Sequence, residues 1–575
     1  MLKYLDSDKV LSNKEVYDTL FVNTSFSVED LADISPIDKN SERLKLTFEL
    51  LNNSYNSLKV GGLMFVYGAP KYLSFYADYL NNLEKEDAKF LFKYWIGIKF
   101  ENMFLNQPLP NSHIGLLMFL KTKKTKNPTP FKLNTKEYRI PYSNCRACGN
   151  NLKDWGGKKH LMNPLGTAFS DVWTDLNLNN QTLNKPKEII DRVYNLTLTN
   201  GENLLVINEK EIKNKSDNKN TKIEHDKNSE FKLKDFEYLN RVVKMDCVDF
   251  MKKIKKQYPQ GIYDLAFADP PYNLEKNYSK YDDDKEDLEY INWCNKWLDG
   301  MYDILKPGGS LLVLNIPKWA IEHYINLAPK MNFRNWIIWD ALSTPSGKLL
   351  PAHYSLIHFT KPSNSDIVNI TTNNIEIDSR EYCLRGRCIK QRKLIGEDKK
   401  EYLTDIWRDV HRIKHKKDRD FHPCQLPTKL MNRIIEIYSN EGDLVFDPFG
   451  GAGTTAISAK LNNRNYTITD IDDEYFDIAH NNLNKITETN QGEFIFERLS
   501  IKRPKESKVS QKQIEKKYLE LCFKFNTAID IEKVKGLDEN LYNDINNHYP
   551  RESKYLVKIA NRQLENITIL NQTDL

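Results

Sequence analysis

No stretch of this 575-residue chain approaches the roughly 18 consecutive apolar residues of a membrane-spanning helix. Mean hydropathy is −0.63, so a soluble protein with no membrane partner is expected. The opening MLKYLDSDKVLSNKEVYDTL lacks the uninterrupted apolar segment of a signal peptide, and a cytoplasmic location is expected with it. Cysteine is scarce. Eight in a chain this long, several alone within apolar or helical sequence, read as cytosolic thiols or metal ligands rather than as a disulfide framework. A large excess of one charge is lacking too: 84 Lys and Arg against 79 Asp and Glu leave +5. That mildly basic balance permits an anionic partner, and only local clustering identifies a nucleic-acid surface. What the chain has is length, enough for about three or four domains at roughly 150 residues each.

Much of that length is a repeat. The second half contains, in order, YDLAFADPPYNLEK (263–276), LKPGGSLLVLNIPKWAIEHYINL (305–327), FRNWII (333–338), LLPAHYSLIHFTK (349–361), TDIWRD (404–409) and LPTKLMNRIIEIYSNEGDLVFD (426–447). The first half answers with YDTLFVNTSFSVED (17–30), LKVGGLMFVYGAPKYLSFYADYL (58–80), FKYWIG (92–97), PLPNSHIGLLMFLK (108–121), SDVWTD (170–175) and KPKEIIDRVYNLTLTNGENLLVIN (185–208). Each copy alternates short β-branched runs with amphipathic patterns, which implies a mostly parallel sheet covered by helices on both faces. The expected fold is therefore α/β, with two doubly wound Rossmann-like domains at 1–207 and 236–495. A charged, aperiodic linker at 208–235 separates them. From 496 to 575 the spacing is helical, with Tyr518, Leu521 and Phe525 on one expected face.

Two stretches carry chemistry. In LAFADPPYNLEK (265–276) an apolar strand runs into Asp269, Pro270, Pro271 and Tyr272. In DLVFDPFGGAGTTAISA (443–459) a strand ends at Asp447, a glycine-rich turn follows, and a helix opens near Thr454. Such a turn brings backbone N–H groups and a helix N-terminus to one point, as a nucleotide-like ligand requires. A second strand, in NYTITDIDDEY, ends in Asp470 about 20 residues on, where a carboxylate takes ribose hydroxyls. Asp246, in VVKMDCVDF, ends a further strand. It reads equally as a group approaching a cofactor adenine and as a helix cap.

Together, DPPY and DPFGGAG resemble the S-adenosylmethionine-dependent DNA amino-methyltransferases, and the order, DPPY first and glycine loop last, resembles their β group. The resemblance spans about 240 to 490 and includes HPCQLP (422–427), where the family carries His-Pro-x-Gln-x-Pro. It implies that Asp447, Phe449, Gly451, Gly453 and Thr454 line the cofactor, that Asp470 binds its ribose, and that His422 and Gln425 lie near its methionine part. The family usually has lysine where this chain has Leu426. Duplex DNA is the implied partner, with a restriction endonuclease of the same site beside it. Aspartate at the head of the tetrad favours adenine N6 in this family; cytosine N4 and a non-catalytic DNA-binding subunit are the alternatives.

The chemistry suits the tetrad. An exocyclic amine conjugated to its ring is a poor nucleophile, so its two N–H bonds need acceptors that expose the lone pair to an electrophilic methyl. Asp269 supplies one acceptor and the Pro270 carbonyl, stiffened by two prolines, the other. Tyr272 offers a ring face to a flipped-out base. The first copy has Asn23, Thr24, Ser25 and Phe26 at these places, and its strand NLLVIN (203–208), matched to DLVFDP (443–448), leads into no glycine loop. It is therefore expected to be an inactive copy that forms an internal pseudo-dimer, so that the chain acts as a monomer. Cys145 and Cys148 (CRAC) and Cys383 and Cys388 (CLRGRC) fall at comparable places in the copies, and together suit one four-thiolate zinc site. The insertion at about 363–421 ends in RDVHRIKHKKDRD. Its position matches the family's target-recognition region, with Arg412, Lys414, Lys416 and Lys417 expected on phosphates.

Overall fold

In the computed structural model the described residues run from 2 to 564, apart from stretches of which the longest are 7–15, 102–108, 153–159, 211–232, 342–348, 364–374, 414–424, 489–493, 497–510 and 549–555. Most of the expected linker lies outside the described residues. The chain divides into two compact units, one of Met1–Pro270 with Ile291–Leu483, the other of Pro271–Tyr290 with Asn484–Leu575. Both eight-stranded sheets belong to the first.

The first half runs β1 (Leu2–Asp6), β2 (Tyr17–Asn23), α1 (Val28–Ala32), α2 (Glu42–Ser57), β3 (Leu58–Gly68), α3 (Pro70–Asn82), β4 (Glu84–Lys85), β5 (Ala88–Lys99), β6 (His113–Lys123), β7 (Val172–Trp173), α4 (Lys187–Thr197) and β8 (Leu204–Asn208). The second runs β9 (Arg241–Lys244), α5 (Cys247–Gln257), β10 (Tyr263–Ala268), α6 (Asp287–Ile304), β11 (Leu305–Asn315), α7 (Pro317–Leu327), β12 (Asn332–Asp340) and β13 (His353–Thr360). It continues through β14 (Glu376–Asp378), α8 (Gly386–Ile395), β15 (Lys400–Tyr402), β16 (Ile406–Trp407), α9 (Thr428–Tyr438), β17 (Leu444–Asp447), α10 (Thr454–Leu461), β18 (Asn465–Asp470) and α11 (Asp473–Leu483).

The two sheets are ordered β1-β8-β2-β3-β6-β5-β4, with β7 on β5, and β16-β12-β13-β11-β10-β17-β18-β9. Strand for strand, β2, β3, β5, β6, β7 and β8 take the places of β10, β11, β12, β13, β16 and β17. Central strands are buried on both faces, as helix-covered parallel strands must be: Leu265, Ala266, Phe267 and Ala268 have no exposed surface. The repeat extends to single interactions. Lys59 pairs with Asp18 at 2.8 Å and Lys306 with Asp264 at 2.7 Å. Lys121 donates to the carbonyls of Tyr55 and Leu58, and Lys361 to those of Tyr302 and Leu305. Arg192 forks onto Asp175 as Arg433 forks onto Asp409. Burial opposes ionisation of Asp409, yet the Arg433 fork and Lys429 draw its carboxyl down to about 2.

Two details differ from the sequence reading. Thr19 pairs with Leu204 where the equivalent Leu265 pairs with Val445, so the match of NLLVIN to DLVFDP is one residue out. Val206, not Ile207, stands in the place of Asp447, and Glu209 in that of Gly450. Both strands are apolar on both faces, and without a period-two pattern the sequence cannot set their register. The place of β18 is filled in the first half by β1, which pairs parallel to β8 from the start of the chain.

The halves meet along a self-complementary seam. Trp95 and its counterpart Trp336 stack on each other, centroids 3.9 Å apart and planes 4° from parallel. His113 lies 2.7 Å from Asp405, and the counterpart His353 lies 3.1 Å from Asp171. The Asp405 amide donates to the Pro110 carbonyl, as the Asp171 amide does to Leu350. The Tyr324 hydroxyl donates to the Lys71 carbonyl at 2.7 Å, joining α7 to α3. A Cβ on Gly97 would stand 1.9 Å from Ile338 Cδ1, so any larger residue here would force the buried Ile338 side chain to move. Exchanging the halves maps the tryptophan stack onto itself and one His–Asp pair onto the other, which is how a two-fold dimer interface is built.

In the second unit, β19 (Ile486–Glu488) and β20 (Phe494–Phe496) pair antiparallel, and α12 (Gln511–Lys524), α13 (Ile531–Leu537) and α14 (Glu539–His548) follow. Their core is Ile514, Tyr518, Cys522, Val534, Leu541 and Ile545, with Leu521 partly buried against it. Phe525, expected on that face, is 47% exposed because α12 ends at Lys524, one residue before it.

Candidate active site

β10 and β17 are adjacent and parallel, with Leu265 opposite Val445 and Ala266 opposite Phe446. Counting on from this register, Asp269 emerges level with Phe449, so the two chemical motifs leave the sheet at the carboxyl ends of neighbouring strands. That is where open α/β sheets hold their ligands. β18 lies on the other side of β17 and ends at Asp470, and β9 lies beyond it, with Lys244 opposite Asp470. Asp246 follows two residues later. Four strand ends thus bring Asp269, the glycine loop, Asp470 and Asp246 to one edge.

The loop is held from below. Asp447 is buried and accepts from the Phe449 amide at 2.8 Å and from the Thr455 hydroxyl, pinning the start of the loop to the first turn of α10. Burial pushes its carboxyl up to about 7, against the pull of those two bonds. It therefore shapes the loop from inside. Asp470 accepts from the Gly451 amide and, through its other oxygen, from the Asp472 amide, both at 2.9 Å. Burial raises its carboxyl too. Gly453 has φ +82, and a Cβ there would meet Ala479 at 3.0 Å, so the loop needs glycine both for its turn and for packing on α11. As N-cap of α10, Gly453 supplies no side chain to the first-turn amides. Those N–H donors beside the Asp470 carboxylate form a donor and acceptor set suited to the amino-acid and ribose parts of S-adenosylmethionine.

Other expected residues divide. Asp246 is exposed and caps α5, accepting from the amides of Val248 and Asp249. Phe449 is half-buried, its ring 5.6 Å from Trp293 and 5.3 Å from Trp297. Gln425 is half-buried, two residues before the Pro427 N-cap of α9. Arg412 is also half-buried. His422, Lys414, Lys416 and Lys417 lie outside the described residues. The sequence reading did not single out Thr455, Trp293 or Trp297. The two tryptophans, i and i+4 on an amphipathic helix, were the available signal for the last pair.

The segment 271–290, within the second unit, has its own scaffold. Asp283, 1% exposed, accepts from the amides of Asn273, Leu274 and Lys276 at 2.7, 3.1 and 2.9 Å. The Asn273 side chain exchanges two hydrogen bonds with the Lys285 backbone, at 2.7 Å each. This fixes Asn273 and Glu275 at φ 54 and 56, a region non-glycine residues rarely occupy. The Tyr290 hydroxyl donates to the Pro271 carbonyl at 2.6 Å. Neither Asp283 nor Tyr290 was singled out in the sequence, since YDDDKED reads as a solvated acidic run.

In the first half the corresponding strand ends are tied to one another. Asn23 donates to Asn208 Oδ1 and to the Asn184 carbonyl, both at 3.0 Å, and Thr24 donates to the Tyr67 carbonyl. Glu209, standing where the second half has Gly450, accepts from the Ser25 amide at 2.7 Å and the Thr47 hydroxyl at 2.6 Å. Arg43 pairs with Asp30 at 2.8 Å and covers the Tyr72 ring at 4.1 Å. No glycine loop leads from this edge.

Comparison with known proteins agrees with this geometry. The DNA methylase family (N6_N4_Mtase) matches residues 263–481. The type II methyltransferase M.BamHI of Bacillus amyloliquefaciens is 37% identical over 271 residues, covering 45% of this chain and 62% of its own length. The chain thus spans less than two thirds of that relative. M.HpaI of Haemophilus parainfluenzae is 30% identical over 41% of this chain and 73% of its own. For the DNA adenine methyltransferase YhdJ of Escherichia coli K12 the figures are 30%, 41% and 79%. All three alignments cover less than half of the chain. By its ordered motifs, by the sheet that presents them and by these relatives, the chain belongs to the S-adenosylmethionine-dependent DNA amino-methyltransferases.

Proposed function

We propose that this chain methylates the N6 amine of an adenine flipped out of duplex DNA, at one specific site, as the modification arm of a restriction-modification pair. The observation that carries the reading is the register of β10 and β17, which brings Asp269 and the glycine loop out at one level. The cofactor supplies an electrophilic methyl on a sulfonium. The chain's own residues do the rest. The Asp269 carboxylate accepts one amine N–H and the Pro270 carbonyl the other, which localises the nitrogen lone pair, and Tyr272 stacks on the base. Asp470, the Gly451–Gly453 turn and Asp246, with His422 and Gln425, hold the cofactor, while Asp447 and Phe449 set the loop. Arg412, Lys414, Lys416 and Lys417 hold phosphates of the duplex.

Cytosine N4 is the second reading. Its amine offers the same two donors on a conjugated ring, so the same pair of acceptors fits it, and the matched family carries both N6 and N4 in its name. We infer that the first half is an inactive copy whose retained role is to complete the seam, and that one chain with one active site suffices. Expression in a methylation-free host, followed by modification-sensitive single-molecule sequencing, reads base, site and strand together. N6-methyladenine at one motif is the expected result. N4-methylcytosine selects the second reading, and unmodified DNA in the presence of soluble, folded protein overturns both.

A further inference from the structure

We propose that Cys145, Cys148, Cys383 and Cys388 hold one structural zinc ion, and that this centre is a second fastening between the two halves. The four sulfurs come from segments far apart in the chain, one pair between β6 and β7 and the other between β13 and β16, with Cys388 in the first turn of α8. They nonetheless lie within 4.8 Å of one another. Cys145 Sγ is 3.8 Å from Cys388 Sγ, and Cys148 Sγ is 3.6 Å from Cys383 Sγ. A disulfide needs about 2.05 Å, whereas zinc bound to four sulfurs at about 2.3 Å sets the edges of its tetrahedron at about 3.8 Å. Both cross-half pairs match the tetrahedral edge, and all four cysteines are free thiols.

The surroundings suit thiolates. The Cys383 amide donates to Cys145 Sγ at 3.3 Å, Asn150 Nδ2 to Cys148 Sγ at 3.4 Å, and Arg392 Nη1 to Cys388 Sγ at 3.2 Å. Such donors orient ligating sulfurs and offset the negative charge that four thiolates leave around a divalent ion. Gly149, at φ +67 with nothing in reach of a Cβ, turns the chain back directly after Cys148, and its amide donates to the Cys145 carbonyl at 2.8 Å. Around the sulfurs the backbone is joined across the halves. The Arg146 amide donates to the Glu381 carbonyl at 2.9 Å, and Arg385 Nη1 donates to the Asn151 carbonyl at 2.8 Å.

Packing alone does not account for this junction. Among the described residues, the local cluster holds, apart from the cysteines, only Tyr382 and a partly buried Leu152. Two apolar side chains make a small core for a junction of two segments, and small structures of this kind are usually held by a metal or by disulfides. Four protein ligands complete the tetrahedron and leave no open position, so the ion's part is mechanical. The symmetry of the seam extends to it, each half contributing one pair of ligands.

The full-length chain, purified without chelator and without added metal, is expected to carry about one zinc per chain by elemental analysis. X-ray absorption should show four sulfur neighbours near about 2.3 Å. Mercurial titration of the thiols should release that zinc as four sulfurs are consumed. Cys148→Ser, at the partly exposed ligand, should lower zinc content and the unfolding temperature while leaving the protein soluble, and Cys522→Ser, in the separate helical core, should leave zinc content unchanged. Zinc below about a tenth of an equivalent, iron in its place, or two disulfides in the unreduced protein would each overturn the proposal. So would full zinc retention in the double variant Cys145→Ser/Cys383→Ser.

Discussion

β10 and β2 occupy the same place in two copies of one sheet, yet the groups at their ends meet opposite fates. Beyond β10 the chain presents a carboxylate and a proline carbonyl beside a glycine loop whose first-turn amides have no side-chain cap. Beyond β2, Asn23, Thr24 and Ser25 donate to groups of their own half, and Glu209 closes over the spot where the loop begins in the other copy. In the first half these groups satisfy one another, and leaving one of them unpaired near the core would cost about 1–3 kcal/mol. What both copies retain is what the seam needs: the tryptophan stack, the two His–Asp pairs and the helices that carry them.

The most severe way to break the asymmetry is at Asp269. Asp269→Ala should lower methyl transfer on the order of 10³-fold, the scale seen when a single preorganised polar group is lost. Both strands of the site should be affected alike. Methylation surviving on one strand, in a strand-resolved assay, would mean that the first half is also active.

The seam offers the next largest effect. Gly97→Ala forces a Cβ into Ile338 and should cost about 2–3 kcal/mol of stability, read as a lower denaturant midpoint. Ile338→Val in the same chain should recover part of it, since the intruding contact is with Ile338 Cδ1. If the two losses simply add, the seam is not as tight as drawn.

In the closed cleft, Glu209→Ala should cost about 1–2 kcal/mol by taking the acceptor from the Ser25 amide, while the Thr47 hydroxyl falls back on the Arg43 carbonyl. Methyl transfer should stay within about twofold of the parent, given the roles argued above. A large loss of activity with normal stability would instead give the first cleft a part in catalysis.

The mildest test concerns pH. The Asp447 carboxyl is raised to about 7 by burial, so its proton is bound more tightly in the folded than in the unfolded chain. Its contribution to stability is complete below its unfolded value near about 3.9 and is lost as pH rises through about 7. Asp447→Asn should flatten the dependence of unfolding temperature on pH between about 4 and 7. An unchanged slope would place the proton elsewhere.

The repeat and the two motifs were legible in the sequence because side-chain pattern and glycine placement are local properties. Asp269, Asp447 and Asp470 all emerge at the strand ends the motifs imply. The rest depends on pairings the sequence does not index. Asp447 reads as a ligand-facing acid, and only Thr455 and Phe449 reveal that it faces inward. Asp283 sits in an acidic run and becomes a buried scaffold because three amides converge on it. β1, with Tyr4 54% exposed, gives almost no strand signal and is specified by the open edge of β8. The one-residue error at β8 arose because strands buried on both faces carry no alternation to read.

The stacked pair Trp95 and Trp336 sits between counterparts of a single polypeptide, and this has a kinetic consequence. In an ordinary two-fold dimer, such a contact is lost on dilution and remade at a rate set by concentration. Here both rings are delivered by one synthesis event and remain at the high effective concentration of a tether. The seam therefore survives at any copy number in the cell. A substitution on one side is also no longer copied to the other, which leaves the two faces free to diverge.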